Sequence, residues 1–457
     1  MEGRGCLVTK LLEGKMPGTS RPTSVSTKLQ RIAELARQAP QMVFTTLAHH
    51  IDVDFLREAY RRTRKDGAVG IDHQSSAQYA TALEDNLRSL LDRFHSGQYY
   101  APPVRRVHIP KDDGRTRPIG VPTFEDKILQ RAVTMILEAV YEQDFLDCSY
   151  GFRPRRSAHD ALDTLWYRLM DMGGGWVLEV DIQNFFDTLD HCRLREILDQ
   201  RVRDGVLRRA IDKWLKAGVL EAGEVTHPTE GTPQGGVISP LLANVYLHEV
   251  LDKWFDGEVR PRLEGAAFLI RYADDFVLVF ARERDARRVF DVLPKRFGKY
   301  GLTLHPAKTR LIGFRKPPRG VKPPRGDRPG TFDLLGFTHH WGMLRRGTWT
   351  VMRRTSRTRL TRAIRAIAVW CRQSRHLPID EQSAKLGRKV RGHFNYYGIQ
   401  GNSRALAGFS HAVRRVWRKW LSRRNDKGVT WDRFADLCVR FPLPAPRIAH
   451  WTTQRIT

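Results

Sequence analysis

Phe268-Leu269-Ile270-Arg271-Tyr272-Ala273-Asp274-Asp275-Phe276-Val277-Leu278-Val279-Phe280 sets two apolar runs on either side of Tyr-Ala-Asp-Asp. The flanks are β-branched and aromatic, which predicts a buried β-hairpin with two carboxylates at its tip. Turns favour Asp for conformational reasons alone. Adjacent acids on a tip between hydrophobic strands nevertheless repel each other unless a cation sits there. A hard divalent ion, Mg²⁺ or Mn²⁺, takes carboxylate oxygens. The motif is short, so its meaning turns on a third ligand, on phosphate grips and on a nucleic-acid track elsewhere in the chain.

The third ligand is found upstream. Trp176-Val177-Leu178-Glu179-Val180-Asp181 reads as a buried strand ending in an acid, followed by Ile182-Gln183-Asn184-Phe185-Phe186-Asp187. Asp181 alone is explained by a helix cap; together with the acidic hairpin it is better explained as a metal ligand. The phosphate grips come earlier still. Val104–Pro110 alternates as a strand, and Asp113-Gly114 marks a hairpin turn that sets Lys111 and Arg117 on facing strands, both within reach of one triphosphate. Gly231-Thr232-Pro233-Gln234-Gly235-Gly236-Val237-Ile238-Ser239-Pro240 is a Gly/Pro turn opening a helix over Leu241–Trp254. Small residues there let backbone approach a base or phosphate, and Gln234 supplies an amide.

Helical spacing predicts further helices over 28–37, 53–63, 80–95, 121–140, 157–170 and 194–220. Arg61–Asp72 is a basic turn-like segment, and its Arg64 and Lys65 suit a template backbone. Ser149-Tyr150-Gly151-Phe152-Arg153-Pro154 is a rigid aromatic turn whose Arg153 suits nucleic acid. Gly301–Thr309 reads as a turn, a strand and a basic tip with Lys308. Arg315–Gly330, rich in Pro, Gly and Arg, reads as a flexible insertion.

The chain has 457 residues, 78 Lys plus Arg against 50 Asp plus Glu, and a formal charge of +28. That length suits two or three domains. That charge implies a polyanionic partner, nucleic acid before membrane. No apolar run is long enough to span a bilayer, and the first residues lack the order of a secretory signal. Cys6, Cys148, Cys192, Cys371 and Cys438 are scattered with no Cys-x-x-Cys, as expected of reduced cytoplasmic thiols. From Arg345 to Arg424, roughly twenty Lys and Arg face about two acids on a helical, aromatic-rich pattern. One-signed charge at that density, including Arg388, Lys389 and Arg391, points to RNA or DNA phosphate. The expected divisions are a mobile basic arm and short helix (1–40), a catalytic body (41–344), a helical domain (345–412) and a short basic C-terminal segment (413–457), a DNA-binding remnant or a helix packed on the domain before it.

Phosphoryl transfer at a nucleic-acid 3′ end uses two divalent ions ~3.5–4 Å apart. Clustered carboxylates on rigid strand ends would hold them. Asp181, Asp274 and Asp275 meet that need if their strands are neighbours, and the Ile182 carbonyl can add a ligand. Lys111 and Arg117 would neutralise the β- and γ-phosphates, and Phe186 would wall off the sugar.

The ordered set of motifs resembles the group II intron-encoded reverse transcriptases and maturases. It runs from Lys65-Asp66-Gly67 through the Ile109–Gly120 fingers, Ser149–Arg153, Val180–Asp187, Gly231–Asn244, Tyr272–Asp275, Gly301–Thr309 and Leu335-Gly336-Phe337. It ends in Leu386-Gly387…Arg391-Gly392…Phe394-Asn395-Tyr396-Tyr397, similar to the maturase segment of the thumb, and so covers about residues 45–425. The resemblance implies an α+β right-hand polymerase with fingers, a ferredoxin-like palm and a helical thumb. It implies RNA-templated DNA synthesis with two Mg²⁺ ions, or Mn²⁺ in their place. The partners implied are intron RNA, an RNA template with DNA primer, and target DNA. By family role Asp181, Asp274 and Asp275 are the catalytic carboxylates, Lys111 and Arg117 hold the triphosphate and Gln234 touches the nucleotide. Phe186 is the steric gate, and Lys308 lies near the primer or nucleotide. Many members end in an endonuclease with His, Asn and paired Cys ligands; no such set occurs here, so target-strand cleavage is not expected. The alternatives are a host or defence enzyme of the same fold, or a splicing-only protein with a dead polymerase, against which the intact carboxylates speak.

Overall fold

A computed structural model describes residues 24–110, 116–221, 224–226, 231, 235–320, 329–424 and 428–451, with backbone alone at 110 and 117. Helices α1 (Ser24–Gln38), α2 (Val53–Arg62), α3 (Ser76–Ala80) and α4 (Leu83–Ser96) lead into strands β1 (Val104–Pro110) and β2 (Thr116–Val121). Then follow α5 (Phe124–Tyr141), α6 (Ala158–Met172), β3 (Gly174–Val180), α7 (His191–Asp199), α8 (Gly205–Leu215), β4 (Val219–Glu221), β5 (Glu224–Thr226) and α9 (Ser239–Leu247). The hairpin is β6 (Ala267–Tyr272) and β7 (Asp275–Phe280), trailed by α10 (Glu283–Gly298), β8 (Arg310–Arg315), β9 (Phe332–Leu334), β10 (Phe337–Met343) and β11 (Trp349–Thr355). Helices α11 (Arg357–Gln373), α12 (Ile379–Tyr397), α13 (Ser403–Leu421) and α14 (Trp431–Arg440) complete it.

The central sheet has strand order β6-β7-β3-β8, antiparallel throughout. With its helices this is the ferredoxin-like palm. Period-two alternation gives it two buried faces. Leu178, Phe276, Leu278 and Phe280 face the large core shared with α5, α9 and α10, while Val177, Val277 and Val279 face α6, Trp341 and Trp349. A second sheet, β2-β1-β4-β5, forms the fingers, and a third, β11-β10-β9, joins palm to thumb. The thumb helices bury their own core around Trp417, Phe409, Leu386 and Phe394.

Several expected elements divide or shift. The helix expected over 194–220 is α7, α8 and β4, because Asp204 caps α8 through the Val206 and Leu207 N–H groups and also accepts from Leu47 and Ala48. The 80–95 helix begins at Leu83, after the separate turn of α3. The helix expected from Val121 starts at Phe124, capped by Thr123 rather than begun by Pro122. The helix expected to run to Trp254 leaves α geometry at His248 and continues as π-type turns. The segment after Arg345 opens as strand β11, not helix. The expected boundary after residue 412 falls inside α13, where Phe409, Val413 and Trp417 share one buried face, and Phe434 of α14 packs on Trp417 at 5.6 Å. Residues 413–440 are thus part of the thumb bundle. Residues 1–23 and 321–328 lie outside the described residues.

One buried ion pair fixes the hairpin. The Arg271 guanidinium donates to both Asp252 oxygens (2.8 and 2.5 Å), to Asn244 Oδ1 (2.9 Å), to Ser149 Oγ (2.8 Å) and to the Ala273 carbonyl (3.2 Å). Neither Arg271 nor Asp252 has solvent exposure. Burial opposes the ionised Asp252, but Arg271 and His248 outweigh it and hold the carboxyl below its ordinary range. Arg271→Met should lower unfolding free energy by about 3–5 kcal/mol, because Asp252 is left buried without its counter-charge. Adding Asp252→Leu should recover much of that loss; urea unfolding of the single and double variants checks both.

Candidate active site

The tip of the β6–β7 hairpin is a two-residue turn. Tyr272 pairs with Asp275, leaving Ala273 and Asp274 between them, and Ala273 takes φ +58°. The tip is tied down from behind. The Tyr150 N–H donates to the Arg271 carbonyl and the Arg271 N–H to the Cys148 carbonyl. Gly151 lies so close that a Cβ there would stand 2.4 Å from the Ala273 nitrogen, so glycine is required. Asn244 Nδ2 donates to the Gly151 carbonyl at 2.7 Å. Three motifs far apart in sequence therefore meet at one buried arginine.

Asp181 leaves β3 beside β7, and its carbonyl accepts from the His305 N–H at 2.8 Å. That pairing brings Lys308 round, and its ammonium donates to Asp181 Oδ2 at 3.0 Å. Asp181, Ile182, Phe186, Asp274 and Lys308 line one cavity of about 670 Å³, closed by Pro118 and Ile119 of β2 and by Gly235, Gly236 and Pro240. Gly235 sits against β2, where an added Cβ would meet the Gly120 carbonyl at 2.5 Å.

Asp275 is placed differently from Asp181. It lines an adjoining cavity of about 330 Å³ with Leu335, Arg359, Tyr396 and Tyr397, at the junction of palm and thumb. The Leu335 N–H donates to Asp275 Oδ2 at 3.2 Å. The side chain keeps an exposed edge, yet palm and thumb crowd it. Loss of bulk water, then the charges of Asp274, Glu179 and Asp181, push its carboxyl up to about 7. Among the described residues no group of three or more His, Cys, Asp and Glu side chains is gathered to hold a metal. Two carboxylates lining one cavity, with the Lys308 cation seated on one of them, still make a donor set that fits a hard divalent ion. Asp181 and Asp274 would hold it, beside Ile182.

Other expected site residues fall out unevenly. Lys111, Gln234 and the Arg117 side chain lie outside the described residues, although the backbone pairs Arg117 with Ile109 across the fingers hairpin. Arg153 is not a surface phosphate contact here. It is buried, bonded to Glu142 and to the Leu146 and Ser149 carbonyls, and holds the turn that carries Gly151. Arg64 is exposed and paired with Asp66. Lys65 lies over the Tyr60 ring at 3.4 Å. Arg388, Lys389 and Arg391 are exposed on α12.

The sequence reading missed three supports of the site. Arg271 was in view as a lone charge inside an apolar strand, which is the signal that would have found it. Asp126 and Gln130 on α5 were hidden in a helix read only for its apolar face. Gln130 Oε1 accepts from the Val237 N–H at 2.7 Å, which fixes the turn closing the cavity. Gln130 Nε2 in turn donates to Asp126, which also accepts from Trp214 and from the Tyr99 hydroxyl.

Comparison with known proteins places these motifs. The reverse transcriptase (RNA-dependent DNA polymerase) family profile matches residues 109–339, and that of the group II intron maturase-specific domain matches 341–436. Protein YkfC of Escherichia coli is 36% identical over 287 residues, covering 56% of this chain and 75% of its own length. The group II intron-encoded protein LtrA of Lactococcus lactis is 38% identical over 248 residues, covering 51% of this chain and 40% of its own. An uncharacterised 91 kDa protein in the cob intron of Schizosaccharomyces pombe is 24% identical across 88% of this chain and 57% of its own. No helix among the described residues is long and apolar enough to cross a membrane.

Complete burial pushes the Asp126 carboxyl up to about 6, against its three donors. A raised acid favours the protonated form in the fold, so its stabilising contribution is present at low pH and lost as pH rises through 6. Relative to wild type, Asp126→Asn should therefore gain roughly 3 kcal/mol between pH 3.5 and pH 7. Urea unfolding of both proteins across that range checks the sign; parallel curves would mean that folding leaves the Asp126 proton affinity unchanged.

Proposed function

The chain belongs to the reverse transcriptases of the group II intron-encoded, maturase-bearing kind, and from that premise we propose that it extends a DNA primer on an RNA template and assists splicing of a group II intron RNA. The observation that carries the polymerase reading is the presence of Asp181 and Asp274 in the lining of one cavity, together with Phe186 and Lys308.

In the proposed reaction the primer 3′-oxygen attacks the α-phosphorus of a deoxynucleoside triphosphate. That O–P bond forms, the bond from α-phosphorus to the β-phosphate oxygen breaks, pyrophosphate leaves and the hydroxyl proton passes to water. Two Mg²⁺ ions, or Mn²⁺, held by Asp181 and Asp274 would lower the hydroxyl pKa and stabilise charge on the transferring phosphate. Asp274 faces both this cavity and the adjoining one, so it borders nucleotide and primer alike. Asp275 adds negative charge from the primer side. Lys308 sets positive charge on the same wall as Asp181. By motif, Lys111 and Arg117 take the β- and γ-phosphates and Gln234 touches the nucleotide. By motif, Phe186, which lines the same cavity, would meet a ribose 2′-hydroxyl. Intron RNA and target DNA are bound by distributed basic side chains, Arg388, Lys389 and Arg391 among them.

Phe186→Ala should raise ribonucleotide incorporation far more than it lowers deoxynucleotide use. Single-nucleotide incorporation with competing rNTP and dNTP measures that, and unchanged selectivity would remove Phe186 from the gate.

Asp274→Asn with Asp275→Asn keeps side-chain volume and removes two charges. It should cut primer extension by about a thousandfold or more, while splicing of the cognate intron continues near the wild-type rate, because basic contacts that hold RNA lie elsewhere. A folded, intron-binding double variant that no longer promotes splicing would show the two activities to be inseparable.

A further inference from the structure

Phe152 is a bulky residue in an unfavourable place. The residue is 57% exposed and its φ is +56°. A left-handed conformation strains any side chain with a Cβ, and an exposed phenyl ring gains little from burial. Strain of this kind persists where surrounding structure enforces it, and it concentrates at working sites. Here the enforcement is visible. Gly151 is clamped to the hairpin tip and bonded by Asn244, and Arg153 on the other side is buried on Glu142. The residue between two such anchors is held out from the surface.

It is held out at a defined point. Of the described residues lining the two cavities that meet at the hairpin tip, Phe152 and Asp274 alone line both. The ring lies 6.2 Å from that of Tyr272, tilted by 44°, so the wall there is aromatic while Asp274 supplies the charge. Under the polymerase reading, on which this inference rests, the nucleotide occupies the cavity with Asp181 and Phe186, and the duplex leaves through the one with Asp275 and the thumb tyrosine Tyr396. The bond forms at the boundary. The group at that boundary on the primer side is the 3′-terminal nucleoside.

We propose that Phe152 is a substrate-positioning residue whose ring packs on the 3′-terminal nucleoside of the primer and holds its hydroxyl against Asp274. An aromatic face suits the task because it accepts any base or sugar without reading sequence. The proposal explains why a strained aromatic residue stands where glycine would fit the backbone better.

That preference for glycine supplies the test. Phe152→Gly relieves the backbone while deleting the ring, so the full-length variant should melt within about 2 °C of wild type. Its turnover on an RNA template with a matched DNA primer should nevertheless fall by about tenfold to a hundredfold. The KM for the deoxynucleotide should be unchanged, since the ring is assigned to the primer. Phe152→Tyr should restore turnover, and Phe152→Leu, which keeps apolar bulk and loses the flat face, should not. A folded Phe152→Gly that extends primers like wild type overturns the proposal, as does a defect confined to nucleotide KM. If Phe152→Gly melts well below wild type, the comparison of Phe152→Leu with Phe152→Tyr decides, and equal turnover of those two overturns it. A wild-type chain with no extension activity would instead sink the polymerase reading beneath it.

Discussion

The Arg271–Asp252 ion pair is the constraint on which the site depends. A guanidinium and a carboxylate without any solvent exposure are expensive to bury. The arrangement is stable because the guanidinium donates five hydrogen bonds, to both Asp252 oxygens, Asn244, Ser149 and the Ala273 carbonyl. Those partners come from three segments: the helical stretch holding Asn244 and Asp252, the turn holding Ser149, and the hairpin itself. The pair therefore converts the folding of the π-type stretch after α9 and of the 148–153 turn into the position of a single hairpin tip. An apolar core would hold the sheet together equally well, but it would not fix a two-residue turn in register with β3.

From that tip the two cavities diverge. Asp181 and Lys308 mark one and Asp275 with Tyr396 and Tyr397 marks the other, and Asp274 stands at the border. The electrostatics follow the same division. The Lys308 ammonium lies on Asp181, whereas Asp275, crowded by the thumb and near other acids, is pushed up to about 7. The adjacent residues Asp274 and Asp275 share the second cavity, and Asp274 reaches the first as well. The two cavities therefore meet at one backbone turn, with Asp274 in the lining of both.

The thumb illustrates how charge and packing are divided within a helix. Along α13, Leu406, Phe409, Val413, Trp417 and Leu421 recur at helical spacing and bury together, and arginines fill the outer face. The basic segment expected as a separate tail begins midway along this helix. Charge along the outer face gives no sign of where a domain ends, and the buried face continues past residue 413 without a break.

How much was legible in the sequence follows from which forces are local. Alternation and apolar runs determined the hairpin, the neighbouring strand ending in Asp181 and the α+β class, because burial of a strand is written into period two. The ordered motifs determined the family and the candidate carboxylates. Helix ends were read less well, since Asp204 and Thr123 cap through backbone groups that sequence spacing does not display. Arg153 could not be told from a phosphate-binding arginine by residue type, because a guanidinium serves either use and its burial is what distinguishes it. Likewise the split of Asp274 from Asp275 and the meeting of Lys308 with Asp181 are decided by tertiary structure. They depend on long-range pairing of β3 with β7 and of Asp181 with His305, contacts whose geometry no local pattern in the chain encodes.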